Sequence, residues 1–289
     1  AFSCFLGEDP AARSIRNWEA MAPCPPPEKA TELTDPRIER ARLTLKRRHE
    51  MFPRMKQMLP SAPSSPMECQ TFMCYDFKSQ LFQVSAQIPS YVDWLHYEAD
   101  LEPTYLYVKR VLKLLQWRCP PTRWRLKNPG HTLFIEALDK VFPDARVVMT
   151  HRDPVRAQGS VTSLLGTFYW MRSDKAFDAK AFEELLTPEG LAGRLNQVID
   201  WIEKGEVPAP QISHLRYADL IDEPAETLER LYRDMELPFT DQARNSVGAY
   251  LAAKPKGKFG AHHYTVDSQD KTRALFTRYQ SYFDVPTEA

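Results

Sequence analysis

The sequence predicts an α/β fold, a parallel sheet flanked by helices, and three observations predict it. The middle of the chain alternates strand and helix patterns. Trp124 to Lys127 reads as a short strand, 132–142 as a helix, Ala145 to Thr150 (ARVVMT) as a strand, and the stretch from Pro154 as a helix. That alternation is the grammar of parallel strands joined by helical crossovers. The ARVVMT run is also almost continuously apolar, as expected of a strand covered on both faces. Finally, prolines recur just after residues able to cap helices, at Asp35-Pro36, Asp153-Pro154, Thr187-Pro188 and Glu223-Pro224. Proline suits the first helical turn, where its missing N–H would have no partner anyway.

The remaining elements follow in order. The stretch to Pro27 ends in Pro25-Pro26-Pro27, a stiff connector. From Pro36 to Met58 the pattern is helical, with Arg40, Arg42, Lys46, Arg47 and Arg48 read as a solvated face. Residues 59–66 (LPSAPSSP) form a loop, and helices are expected at 89–98 and 103–117. In the second of these, Tyr105, Val108, Leu112 and Leu115 share one face. In 132–142, Leu133, Ala137, Leu138 and Val141 are expected to face inward. A helix is expected at 188–203, with Leu191, Leu195, Val198 and Ile202 in register. A third strand is expected at 211–216 and a further helix at 224–235. Trp18 and Trp201 are expected in the core. The whole, residues 1–289, is read as a single domain.

Composition excludes several function classes. The chain has 289 residues, 43% apolar and 26% charged, with 38 basic and 38 acidic side chains. Zero net charge is unlike the basic excess of a nucleic-acid binder, so no nucleic-acid partner is expected. No run approaches the ~18 apolar residues of a membrane span, and no secretory signal is visible. Cys4, Cys24, Cys69, Cys74 and Cys119 are odd in number and scattered. They are read as buried reduced thiols rather than a disulfide or zinc framework, which makes a cytoplasmic location the expectation.

The richest segment is Thr150-His151-Arg152-Asp153-Pro154. Ligands of open α/β sheets sit at the carboxyl ends of the strands. Arg152 leaves a strand there, beside a helix N-terminus whose free N–H groups and dipole favour anions. Its planar fork matches phosphate oxygens. Ser160 lies in the second turn of that helix and could add a hydrogen bond. The competing reading has Arg152 paired with Asp153 or capping a neighbouring helix. His151-Arg152-Asp153 also matches the protein-kinase catalytic triplet. The asparagine that motif needs five residues on is Gln158 here, and no Asp-Phe-Gly follows.

From Trp124 to Leu165 the chain, WRLKNPGHTLFIEALDKVFPDARVVMTHRDPVRAQGSVTSLL, resembles the central part of the PAPS-dependent sulfotransferase family, in its broad bacterial and fungal branch. Four further pieces resemble the family in order: residues 6–27 (LGEDPAARSIRNWEAMAPCPPP), 90–100 (SYVDWLHYEAD), 215–232 (LRYADLIDEPAETLERLY) and 258–270 (KFGAHHYTVDSQD). The resemblance implies the P-loop nucleotide-hydrolase-like sulfotransferase fold. The activity it implies is transfer of a sulfuryl group from PAPS to a hydroxyl or amine of a small-molecule acceptor, releasing PAP, without a metal.

Carried over residue by residue, the resemblance places Arg152 and Ser160 on the cofactor's 3′-phosphate and Tyr217 on its adenine. It makes His131 the catalytic base and puts Lys127 at the leaving phosphate oxygen or the acceptor. Lys256 and Lys258, flanking Gly257, are expected near a cofactor phosphate, and His262 and His263 near substrate. Histidine suits a base near neutral pH, and a cation stabilises charge developing on a leaving oxygen. A histidine capping the helix that begins near Thr132 is the plainer reading of His131.

The family's Pro-Arg-Ser-Gly-Thr-Thr type loop, whose N–H groups hold the 5′-phosphosulfate, has no counterpart in this sequence. Residues 1–6 read as the end of the helix that follows it. The chain, which opens on Ala1, is therefore expected to be N-terminally incomplete, with the first strand absent and its neighbours short of a ladder partner. Two rivals remain: a catalytically inactive sulfotransferase-like module that binds PAP or a protein partner, and a nucleotide or small-molecule kinase on the same fold.

Overall fold

A computed structural model describes every residue except 1, 121–122, 183–185, 207–211, 254–261, 265, 267–269 and 289. The chain divides into two compact units. One comprises residues 1–82, 92–141 and 240–262, the other 83–91, 142–239 and 263–289.

The first unit is mainly helical. Its strands are β1 (Ala12–Arg13) and β2 (Arg123–Trp124), paired in parallel with Ala12 opposite Arg123. The strand expected over 124–127 is thus only two residues long. Arg125 N–H still donates to Arg13 C=O at 2.8 Å, and beyond it the chain turns away. The basic helix runs over Pro36–Met51, capped by the Asp35 carboxylate, which accepts from Arg37 N–H. It was expected to reach Met58 but stops at Met51, because Pro53 has no N–H to continue the ladder. A single turn resumes at Met55–Met58. The helix Glu102–Gln116 buries Tyr105, Val108, Leu112 and Leu115, the four residues expected on its inner face. They join Ile15, Trp18, Phe72 and Leu95 in a buried core. Each such side chain contributes roughly 1.5–3 kcal/mol through burial.

One buried ion pair ties this core together. Arg13 is 7% exposed and Glu19 fully buried. The Arg13 guanidinium pairs with the Glu19 carboxylate and donates to the carbonyls of Leu115 at 2.8 Å and Cys119 at 2.9 Å. Its face lies over the Trp124 ring, 4.9 Å from the centroid.

The 132–142 segment departs from a uniform α-helix. Pro129–Phe134 is a 3₁₀ helix, and the α-helix proper is Ile135–Val141. A tighter turn of three residues shifts the phase. Phe134, Ile135 and Val141 are therefore the buried residues, while Leu133, Ala137 and Leu138 are half-buried.

The second unit carries β3 (Val147–His151) and β4 (Ile212–Arg216), parallel in a five-residue register from Val147–Ile212 to His151–Arg216. Helices Pro154–Trp170, Pro188–Lys204 and Pro224–Asp234 follow as expected, the first two capped by the side chains of Asp153 and Thr187. Gly205 closes the second with φ +69°, a left-handed conformation that glycine adopts without a Cβ penalty. Val155, Ala192 and Phe276 form one core cluster, with Leu191 and Leu195 packed against it. Ile199, Tyr279 and Val285 form another.

The fold is thus α/β with parallel strand pairing. Among the described residues the strands form two separate pairs rather than one continuous sheet. Of the cysteines only Cys69 and Cys119 are buried; Cys24 is exposed and Cys4 and Cys74 are half-buried, all five as free thiols. No helix among the described residues is long and apolar enough to cross a membrane.

Candidate active site

The residues singled out in the sequence fall into two groups, one in each unit. In the second unit, β3 ends at His151 and the chain turns directly into the helix Pro154–Trp170. Each residue of His151-Arg152-Asp153 has its own task. The buried His151 ring lies 2.7 Å through Nδ1 from the Tyr279 hydroxyl and 2.9 Å through Nε2 from His214 Nδ1. It stacks on Phe283 with centroids 4.0 Å apart. Burial and the neighbouring His214 push its pKa down to about 3, so it is a neutral anchor between the strand end and the C-terminal helix Thr277–Tyr282. The buried Asp153 carboxylate accepts from Val155 N–H at 3.0 Å and from Glu288 N–H at 2.9 Å, and pairs with Arg273 at 3.3 Å. These contacts account for the triplet without kinase chemistry.

Arg152 does not pair with Asp153. Its guanidinium takes the Glu288 carboxylate bidentately, Nε to Oε1 at 2.8 Å and Nη2 to Oε2 at 2.7 Å. Its other side lies over the Tyr217 ring, 4.5 Å from the centroid. Hydrogen bonding to Glu288 raises the Arg152 pKa above its ordinary value, against a smaller opposing effect of burial. Tyr217 is brought there because it opens the short helix Tyr217–Asp222 directly after β4, whose last residue pairs with His151. Tyr264 also lies within electrostatic reach of Arg152. Ser160 is half-buried two turns into the Pro154–Trp170 helix. The fork of Arg152, framed by a tyrosine face at a helix N-terminus, therefore binds an oxyanion of carboxylate or phosphate shape, here the protein's own.

In the first unit, Lys127 and His131 flank the turn Asn128-Pro129-Gly130. The Asn128 side chain accepts from Gly130 N–H at 2.9 Å, and His131 N–H donates to Asn128 C=O at 3.2 Å. A Cβ at position 130 would meet the Gln80 amide, the end of a flexible side chain that would have to move aside. His131 Nδ1 lies 2.8 Å from the Tyr105 hydroxyl. Its Nε2 is buried and has no hydrogen-bond partner among the described residues. Burial pushes its pKa down to about 4, keeping the ring neutral near pH 7. His131 does not cap the helix: that role belongs to Asn128. Lys127 Nζ pairs with Glu68 Oε1 at 3.0 Å, and Lys127 C=O accepts from Cys69 N–H at 2.9 Å.

Lys256 and Lys258 lie outside the described residues. His262 is half-buried and His263 exposed. Among the described residues no group of three His, Cys, Asp or Glu side chains is placed to hold a metal ion. Sequence reasoning missed Glu288, Tyr105 and Glu68. Glu288 is 136 residues from Arg152, and no local pattern announces that contact. Tyr105 was legible only as a core residue of an amphipathic helix.

Comparison with known proteins gives the family. Residues 4–241 match the model of the Sulfotransferase family. Stf3, the omega-hydroxy-beta-dihydromenaquinone-9 sulfotransferase of Mycobacterium bovis, is 27% identical over 146 residues, half of this chain. Its Mycobacterium tuberculosis counterpart matches equally. The matched stretch spans 36% of the length of these relatives. The crystal structure of sulfotransferase STF9 from Mycobacterium avium superposes with TM-score 0.79 at 29% identity, covering all of this chain and 74% of that one. Sulfotransferase STF1 from Mycobacterium tuberculosis gives 0.76 at 26% identity, covering 96% and 72%. The family match covers most of the sequence, and this chain belongs to the sulfotransferase family.

Proposed function

We propose that this chain transfers the sulfuryl group of PAPS to a small-molecule acceptor hydroxyl and releases PAP. The observation that carries the reading is the bidentate grip of Arg152 on a carboxylate at a helix N-terminus, over the Tyr217 ring. A phosphate monoester presents oxygens of the same spacing and more charge, so the group fits. On this reading Arg152, with Ser160, holds the 3′-phosphate, and Tyr217 offers its ring to the adenine. Lys256 and Lys258 supply further positive charge to the cofactor.

His131 then acts on the acceptor. The acceptor O–H proton passes to His131 Nε2 as the oxygen forms its bond to sulfur. The bond between sulfur and the 5′-phosphate oxygen breaks, and that oxygen keeps the electron pair. Lys127 offsets the charge it gains. The low pKa of His131 keeps the ring neutral at pH 7, so one of its two nitrogens carries a lone pair able to accept a proton. Stf3 is named for a hydroxylated menaquinone derivative, which makes a hydroxyl on an isoprenoid quinone the first acceptor class to test here.

Calorimetric titration with PAP tests the reading. Wild type binds, and Arg152→Ala loses a charge-assisted contact worth roughly 1.5–3 kcal/mol, about ten- to a hundredfold in affinity. A folded chain that fails to bind PAP would sink the proposal and favour a non-catalytic module that acts through a protein partner.

A further inference from the structure

We infer that Tyr105 is the positioning residue of His131: its hydroxyl accepts a hydrogen bond from Nδ1–H and so dedicates Nε2 to the proton of the acceptor. This rests on the reading of His131 as the base. The hydroxyl lies 2.8 Å from Nδ1, and the two rings are 5.6 Å apart at 35°. Tyr105 is fully buried on the helix Glu102–Gln116, whose other inward residues lock it in the core. The base is therefore oriented from two sides. The Asn128-Pro129-Gly130 turn sets its backbone, and a rigid core residue sets its ring.

The direction of the bond follows from what surrounds it. Were the tyrosine the donor, the imidazole proton would sit on Nε2, which is buried and has no acceptor among the described residues. Orphaned buried N–H groups are rarer and costlier than bare lone pairs. With Nδ1–H as donor, Nε2 keeps only a bare lone pair, and the remaining proton belongs to the tyrosine hydroxyl, which rotates about its C–O bond. Burial, with the Cys69 thiol adding a little, raises the Tyr105 pKa, so the hydroxyl stays a neutral partner throughout.

The arrangement also serves the reaction. When Nε2 takes the acceptor proton, the ring becomes a cation whose Nδ1–H already points at an oxygen. A hydrogen bond from a charged donor is roughly twice as strong as a neutral one. The Tyr105 contact therefore strengthens as the acceptor oxygen bonds to sulfur, and the stabilisation appears in kcat rather than in substrate binding. A third group orienting the base is the general logic of such sites.

The experiment pairs ring-nitrogen NMR with kinetics on wild type, Tyr105→Phe and His131→Gln. In wild type at pH 7, His131 should carry its proton on Nδ1. In Tyr105→Phe, which keeps the ring and its packing, the proton should move to Nε2, the position favoured in free imidazole side chains. PAP release from PAPS with 2-naphthol as probe acceptor should lose kcat about tenfold in Tyr105→Phe, with KM for PAPS within about twofold. A wild-type proton on Nε2, or a tautomer and kcat unchanged by the substitution, would overturn the inference while leaving His131→Gln inactive. A His131→Gln variant with full activity would instead remove the reading of His131 as base.

Discussion

If Arg152 holds the 3′-phosphate of the cofactor, the ligand must first displace Glu288, and removing that carboxylate should make PAP bind more tightly. The displaced contact consists of two short charge-assisted hydrogen bonds, at 2.8 and 2.7 Å. Buried charge-assisted bonds are worth roughly 1.5–3 kcal/mol each, whereas exposed ion pairs are worth about 0–1. The Arg152 and Glu288 side chains are 30% and 27% exposed, between these limits, so solvent screens the pair in part. A net competition of about 1 kcal/mol follows, and Glu288→Gln should raise PAP affinity about fivefold. Calorimetry on wild type, Glu288→Gln and Arg152→Ala measures this directly. Adenosine 5′-phosphosulfate, which lacks the 3′-phosphate, should bind wild type and Glu288→Gln alike. Equal or weaker PAP binding by a folded Glu288→Gln variant would refute the reasoning, because Glu288 and the phosphate would then not share the Arg152 fork.

Stability offers further tests. Glu19→Gln leaves the Arg13 guanidinium buried without its counter-charge and should cost about 3–5 kcal/mol in denaturant unfolding. Glu28→Gln, which breaks the exposed Arg118–Glu28 pair, should cost no more than about 1 kcal/mol. Acid should destabilise the fold through two histidines held neutral by burial, His131 with a pKa of about 4 and His151 of about 3. As pH falls below the ordinary value of 6.5 the unfolded chain takes up protons that the folded chain refuses. Stability should therefore be complete above pH 6.5 and decline down to the folded values, by about 2 kcal/mol per histidine between pH 6.5 and 5. Thermal melts should show that decline, and it should be shallower in His131→Gln.

How far the sequence announced this arrangement depended on how local each signal is. Caps and amphipathic faces are decided within a few residues, and Asp35, Asp153 and Thr187 cap the helices they precede. The buried face of Glu102–Gln116 was legible for the same reason. Strand lengths were less so. A parallel strand extends only as far as its partner, and β2 stops at Trp124 because β1 is two residues long. The phase of 132–142 slipped because a 3₁₀ turn precedes the α-helix, a matter settled by the Asn128-Pro129-Gly130 turn and the Gln80 amide against it. Arg152 could be placed at a strand end and helix start, but its partner could not, since Glu288 arrives from the far end of the chain.

The triplet His151-Arg152-Asp153 shows how the same chain end both builds and occupies the candidate site. His151 faces inward and fastens Tyr279 and Phe283 to the end of β3. That attachment carries the following residues back over the strand end, where Asp153 accepts from Glu288 N–H and Arg152 takes its carboxylate. Anchor and occupant are separable in principle, because His151 and Tyr279 are buried whereas Glu288 is about a quarter exposed. An anion arriving at Arg152 thus need not unpack the helix Thr277–Tyr282. It need only exchange with one carboxylate at the end of a segment held from behind, which keeps the cost of opening to that of the ion pair itself.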